Sequence, residues 1–258
     1  MRVGLIGAMG WIGASLGAGM LDSGVVAAAD LTVLTRRDPP GAYLGNEAVH
    51  WARSVEELVE RSDVVIVSVR PQDWPALHLR APGRLVISVM AMVPMRELAA
   101  SGGRVVRAMP NALAEQRRSY SPWFAAPDVI ATDKAAVTRI LDSIGRSDEL
   151  QDEDHLDVMT VLPGSGPAYP ALVAAAMLDF ARARGLPEPI ARRAVEAVIC
   201  DGAALLQGRI ETAPEVIAAF RDYAGVTAAG LNGADDAGLS TALRAGLDAA
   251  LRACRPTD

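Results

Sequence analysis

Near the start of the chain stands a run suited to holding an anion. Gly7-Ala8-Met9-Gly10-Trp11-Ile12-Gly13 directly follows the short apolar stretch at residues 2–6. Glycine lets a backbone approach a pyrophosphate closely, and the unpaired N–H groups that open a following helix attract the negative charge. The spacing is G-x-x-G-x-x-G, one residue longer than the usual G-x-G-x-x-G. A glycine turn alone is also compatible with a structural turn in some other α/β protein. Here a strand-like run precedes it and the helix-like residues 14–24 follow, which is the context in which such a turn binds a dinucleotide.

Two more stretches fit the same chemistry. Residues 31–34 read as a second strand, and Thr35-Arg36-Arg37 follows it. An acidic residue at that place would accept hydrogen bonds from the ribose hydroxyls of NAD, whereas arginine suits a 2′-phosphate. Asp30 comes before the strand and Asp38 after the arginines, so no acid ends it and the stretch points to NADPH. A solvated arginine pair is the competing reading. Residues 63–69 form a continuous apolar strand, closed by Val69-Arg70-Pro71-Gln72 at the carboxyl edge, where such sheets bind ligands.

Further on, Arg107-Ala108-Met109-Pro110-Asn111 reads as a strand running into a Pro-Asn loop, and residues 163–167 form a Gly-Ser-Pro turn into an Ala-rich helix. Residues 220–231 make a loop of small residues leading into a helix start. Thr227 supplies a hydroxyl there, either as part of an anion or substrate cradle or simply as an N-cap. His50, His78 and His155 fall in surface-like segments and read as solvated. No Ser–His–Asp arrangement or metal-ligand spacing is visible.

These groups need a scaffold. Residues 55–61 and 133–144 read as helices, and 85–89 and 105–107 as short strands. Strands alternating with helices and buried on both faces define an α/β, Rossmann-type, doubly wound parallel sheet. The composition turns acidic across 148–157, which sets the expected boundary between a nucleotide-binding domain at 1–150 and an all-α domain at 151–258. In the second half, helices are expected at 168–184, 190–206, 214–220 and 236–254. The first of these carries no charge before Asp179 and is expected to be buried on most faces as the spine of its half. Residues 158–178 are uncharged and long enough to cross a bilayer, but three prolines, two glycines and an abundance of alanine favour a soluble core helix.

The composition narrows the class further. Aromatic residues make up only 4% of the chain against 51% hydrophobic overall, so the core is built from Ala, Val, Leu and Ile. A net charge of −6 without any Lys/Arg block argues against a nucleic-acid surface. Cys200 and Cys254 lie far apart in helical patterns and read as small apolar fillers. The N-terminus has no signal-peptide layout, and a reducing cytoplasm is expected.

Taken together, the chain resembles the pyrroline-5-carboxylate reductase family. The resemblance rests on Arg107-Ala108-Met109-Pro110-Asn111, on Gly164-Ser165-Gly166-Pro167-Ala168-Tyr169 with its downstream helix, and on Val69-Arg70-Pro71-Gln72, where the family usually has lysine at the second position. It implies a Rossmann domain followed by a helical domain that intertwines with a second subunit. It also implies NADPH-dependent reduction of a cyclic imine held by the small-residue loop. The residues it places on the cofactor are Gly7 to Gly13, Thr35, Arg36, Arg37, Val69, Arg70 and Pro71. Asn111, Asp222, Gly225, Val226 and Thr227 fall on the substrate, with Thr227 as the hydroxyl for the imine nitrogen or the substrate carboxylate. There are departures as well. The glycine turn carries an extra residue, so that Met9 or its neighbour should bulge, and Asp222, Tyr223 and Ala224 replace Ser, Pro and Gly of the family loop. Asp222 must then turn away from a substrate carboxylate or be neutralised, for instance by Arg221. Otherwise the chain is a relative acting on another imine or ketone, or a non-enzymatic NADPH-binding protein.

Overall fold

The structure is a computed structural model that describes residues 1–36 and 41–254. Short runs of Val, Ile and Leu suit strands covered on both sides. In chain order the first part comprises β1 (Val3–Ile6), α1 (Trp11–Asp22), β2 (Leu31–Leu34), β3 (His50–Trp51), α2 (Val55–Glu60), β4 (Val64–Val67) and β5 (Leu85–Ser88). Then come α3 (Met95–Leu98), β6 (Arg104–Ala108), β7 (Ser119–Tyr120), β8 (Trp123–Ala125), α4 (Ala131–Asp142) and β9 (Gly145–Arg146). Among the described residues, seven strands form one sheet in the order β3-β2-β1-β4-β5-β6-β8, parallel except for the antiparallel edge strand β8. β7 and β9 pair separately.

Val3 of β1 sits opposite Leu31 on one side and Val64 on the other. Chain order reverses at β1 and β4, so the carboxyl ends of these strands open the crevice in which a doubly wound sheet takes its ligand. Alternate strand residues feed two apolar clusters. Leu5, Leu31, Ile66 and Ile87 pack with Leu16 and Met20 of α1 and Ile140 of α4. Ile6, Val65, Val67 and Val86 pack with Leu58, Trp74 and Leu98.

The second part is helical: α5 (His155–Met159), α6 (Ala168–Ala183), α7 (Glu188–Glu196), α8 (Ala213–Asp222), α9 (Val226–Asp236) and α10 (Leu239–Cys254). The chain divides into compact units at Ser165/Gly166, beyond the acidic stretch expected to mark the border, and residues 251–254 group with the first unit. The reason is local. The backbone N–H of Leu150 donates to the Trp123 carbonyl at 2.7 Å and that of Met95 to Glu153 Oε1 at 2.7 Å, which ties the acidic segment to the sheet.

Helix boundaries also differ from expectation. The helix expected at 190–206 begins at Glu188, ends as an α-helix at Glu196, and continues as a π-turn (Ala197–Asp201) and a 3-10 turn (Gly202–Leu206). The helix expected at 236–254 starts only at Leu239, because Gly238 adopts φ +82 and ends the preceding helix α9.

One expectation is overturned. Of α6 only Ala181 is buried, while Leu172 and Phe180 are 70% and 63% exposed. Among the described residues of Gly166–Ala250, burial is confined to Ala181, Ala191, Val195 and Ala228. The helical run His155–Ala183 is long and apolar enough to cross a membrane by length and composition, and only 6% of its most apolar window is buried. The described residues by themselves therefore do not cover the helical spine.

α4 is tied to the sheet through its N-terminus. Arg104 Nε and Nη2 donate to Asp133 Oδ2 and Oδ1 at 2.6 and 2.9 Å, and the same carboxylate accepts from the Ile130 backbone N–H at 3.3 Å. The Arg104 hydrogen bonds hold the Asp133 carboxyl below the usual carboxylate range. A depressed folded-state pKa contributes stability that is present above the unfolded value and lost as pH falls through the folded one. Asp133→Ala should lower the unfolding free energy by roughly 2 kcal/mol at neutral pH. In urea titrations the deficit should shrink as pH is lowered below the ordinary aspartate range; a deficit constant down to strongly acidic pH would contradict this account.

Candidate nucleotide site and substrate loop

At the head of the crevice lies Gly7, with φ +82. A Cβ added there would stand 2.1 Å from the Ser68 carbonyl oxygen, so β4's exit passes directly against the turn. The Gly7 N–H donates at 2.9 Å to the carbonyl of Leu34, the last residue of β2. The carboxyl ends of β1, β2 and β4 thus converge on one glycine. The additional residue of the motif is taken up in a tight turn, with the Gly10 N–H donating to the Gly7 carbonyl at 2.9 Å. Met9 lies at its exposed tip, Gly10 is the extended N-cap of α1, and Trp11 projects outward. Gly13 is buried, and a Cβ there would lie 2.3 Å from the Gly7 carbonyl oxygen.

These groups fit a pyrophosphate. The opening N–H groups of α1 have no partner within their helix, its first turn holds no acidic residue, and the close backbone packing excludes side chains from the cradle. Ala8 is buried and Ile12 half-buried against the core.

Tyr43 braces this turn from behind. It is fully buried, its hydroxyl donates to the Ala8 carbonyl at 3.1 Å, and burial pushes its phenol pKa up. Gly17 of α1 makes the room: a Cβ there would meet the Tyr43 oxygen at 2.1 Å. A single tyrosine in a turn-rich stretch carried no sequence signal for this role.

The arginine stretch is only partly described. Thr35 is half-buried after β2, Arg36 is largely exposed, and Arg37 lies outside the described residues. Val69 and Pro71 are half-buried, and Arg70 is exposed. A third charged group, marked by no local sequence pattern, joins these arginines in space. Asp73 accepts from Arg70 Nε and Nη2 at 3.0 and 3.2 Å and pairs with Arg36 Nη1 at 3.4 Å. A carboxylate from the turn after β4 thus reaches the guanidinium of the arginine that follows β2.

Asn111 is buried, and its side chain shapes its own loop: Oδ1 accepts from the Leu113 N–H at 3.0 Å, capping the turn Ala112–Gln116. That turn docks on α1 through Trp11 Nε1 to Glu115 Oε2 at 3.3 Å and Arg117 Nη1 to the Ser15 carbonyl at 2.9 Å. Arg107 is buried and paired with Glu153. Of the histidines, His78 and His155 are exposed, whereas His50, expected to be solvated, is half-buried and stands 2.6 Å from Glu57 Oε1.

In the helical unit, Gly225 is the N-cap of α9 and Thr227 its second residue, so the N-cap reading of Thr227 does not hold. Thr227 and the neighbouring Val226 are exposed, and Thr227 lines a cavity of about 560 Å³ with Leu205, Arg209, Phe220 and Tyr223. Asp222 is the exposed last residue of α8. Arg221 does not neutralise it, because that guanidinium pairs with Asp235 of α9.

A sheet with strand order 3-2-1-4-5-6, reversing at a glycine turn that opens a helix, defines a dinucleotide-binding α/β protein. The sequence profile described as NADP oxidoreductase, coenzyme F420-dependent, matches residues 2–92, and that described as pyrroline-5-carboxylate reductase dimerisation matches residues 153–256. Pyrroline-5-carboxylate reductase of Pseudomonas aeruginosa is 35% identical over 74% of this chain and 73% of its own length. The Arabidopsis thaliana enzyme of that name is 30% identical over 90% and 86%. The crystal structure of Plasmodium falciparum pyrroline carboxylate reductase with NADP bound superposes with a TM-score of 0.86 at 20% identity, covering 98% of this chain and 97% of that one. The chain belongs to the pyrroline-5-carboxylate reductase family.

Ala224 follows α8 with φ +52, a left-handed conformation in which a side chain costs about 1 kcal/mol. Its N–H closes the helix end onto the Arg221 carbonyl at 2.9 Å, the place where glycine commonly ends helices. Ala224→Gly should stabilise the protein by roughly 0.5 kcal/mol, the relieved strain exceeding the entropy that glycine adds to the unfolded chain. Thermal unfolding checks this, and a lowered Tm would refute the strain argument.

Proposed function

We propose that the chain is a cytoplasmic enzyme reducing 1-pyrroline-5-carboxylate to L-proline, with NADPH preferred over NADH. The observation that carries this reading is the conjunction in one family member of a pyrophosphate-shaped glycine turn and an arginine at the end of β2. Bound NADPH supplies the hydride for the imine carbon.

The protein's own part is to bind, orient and hold charge. Gly7, Gly10 and the N–H groups of Trp11, Ile12 and Gly13 hold the pyrophosphate, with Ala8 and Met9 forming the turn and Val69, Arg70 and Pro71 walling the crevice. Thr35 and Arg36, with Arg37 following in the sequence, receive the ribose and its 2′-phosphate. A charge-assisted contact is worth roughly 1.5 kcal/mol at such an exposed guanidinium, about tenfold in affinity.

On the substrate side, the N–H groups at the start of α9, from Gly225, Val226 and Thr227, suit a carboxylate. The Thr227 hydroxyl hydrogen-bonds the imine nitrogen, which takes its proton from solvent as the carbon receives hydride and C=N becomes CH–NH, and Asn111 holds the shape of the Pro-Asn loop. Asp222 favours a second reading, reduction of a different imine or ketone whose facing end is neutral or cationic, because ionised aspartate only accepts hydrogen bonds.

Purified protein with NADPH and 1-pyrroline-5-carboxylate, followed by absorbance of the reduced nicotinamide, decides between these readings. Rapid turnover is expected, and its absence would shift the assignment to the second reading. Thr227→Val should lower kcat by about a hundredfold, the scale of one positioned hydrogen-bonding group, while leaving the Kd for NADPH unchanged. An unchanged kcat would remove Thr227 from the mechanism.

The exposed apolar side chains of the helical unit, among them Leu172, Phe180, Leu205 and Phe220, support a homodimer built through residues 153–256. Light scattering at low micromolar concentration should show at least twice the chain mass. A folded monomer of 27.0 kDa would contradict this.

A further inference from the structure

Three charged side chains from separate segments meet beside the crevice. Arg36 leaves the end of β2, Arg70 the end of β4, and Asp73 the 3-10 turn Pro71–Asp73. β1, with the glycine turn at its end, runs between those two strands in the sheet. Asp73 is the least exposed of the three, at 23% against 75% for Arg36 and 61% for Arg70. Its position is set by backbone: its N–H donates to the Arg70 carbonyl at 2.9 Å, and the next residue, Trp74, is buried in the core. Arg70 grips the carboxylate with two nitrogens, and Arg36 approaches a single oxygen at the longer distance of 3.4 Å. Arg36 is thus the arm that can be released without dismantling the pair behind it.

From this geometry we infer that Asp73 is the residue that weighs one dinucleotide against the other, an inference that rests on the assignment of Arg36 to the 2′-phosphate. A 2′-phosphate must draw Arg36 away from Asp73 and bear the repulsion of the remaining carboxylate. A dinucleotide without that phosphate leaves the cluster intact and meets, beside the arginine that follows β2, a carboxylate able to accept from its ribose hydroxyls. The carboxylate is ionised throughout the neutral range: the Arg70 hydrogen bonds, with the charges of Arg36 and Arg70 behind them, hold its pKa below the usual carboxylate range. Asp73 therefore narrows the margin by which the arginine stretch favours NADPH, and NADH remains a usable cofactor.

The test is a set of fluorescence titrations of full-length protein with NADPH and with NADH, for wild type, Asp73→Asn, Arg36→Ala and the double variant. Asp73→Asn should tighten NADPH about tenfold, the scale of one charge-assisted contact, and leave NADH equal or weaker. In the Arg36→Ala background the same change should have a smaller effect on NADPH, because only the repulsion and no longer the competition for Arg36 is relieved. Retained NADH binding in each variant shows that the site is folded. If Arg36→Ala weakens NADPH while Asp73→Asn leaves the NADPH-to-NADH ratio unchanged, the role of Asp73 is refuted and the 2′-phosphate assignment stands. If Arg36→Ala does not affect NADPH at all, both fall. Equal loss of both cofactors on Asp73→Asn would make Asp73 a support for the turn and overturn the inference.

Discussion

Everything at the nucleotide end depends on the absence of one carbon atom. Gly7 stands where the ends of β1, β2 and β4 crowd together, held by the Leu34 carbonyl and pressed against that of Ser68. With left-handed φ and no space for a Cβ, the residue fixes how closely the strands approach and how α1 leaves the sheet. The direction of α1 in turn aims its unpaired N–H groups into the crevice. The second clearance, at Gly13 against the Gly7 carbonyl, holds the first turn of that helix down on the same point.

The sheet and its glycine turn were legible because both are written in local patterns: apolar runs of four or five residues, and glycines at a fixed spacing. Element ends shifted by a few residues, and the helix expected at 190–206 proved to be three kinds of turn in succession. Asp73, Tyr43 and Glu115 were illegible for a different reason. Each acts on a residue at least 35 positions away, and nothing at its own place in the sequence announces the partner. No acid directly follows β2 in the sequence, and the carboxylate that reaches Arg36 comes from the turn after β4, far along the chain. Asn111 was legible as a loop residue, but its capping of residues 112–116 was not.

The helical unit inverts the usual relation between hydropathy and burial. An α6 without charge before Asp179 reads as a core helix, and among the described residues of one chain its side chains are largely exposed. Sequence pattern reports how much surface must be hidden; it does not say whether the chain or a second subunit hides it. The family to which residues 153–256 belong is described by its dimerisation, which accounts for the composition.

The contact between Gly17 and Tyr43 has a consequence for how this chain can vary. A glycine inside α1 costs helix stability relative to alanine, roughly 1 kcal/mol, and is tolerated because the phenol occupies the space a methyl group would need. The two positions, one on a helix and one in a distant turn, therefore form a single heritable unit. A chimera that grafted α1 from a relative carrying alanine at position 17 would inherit a collision. Its remedy would lie outside the grafted segment, at residue 43.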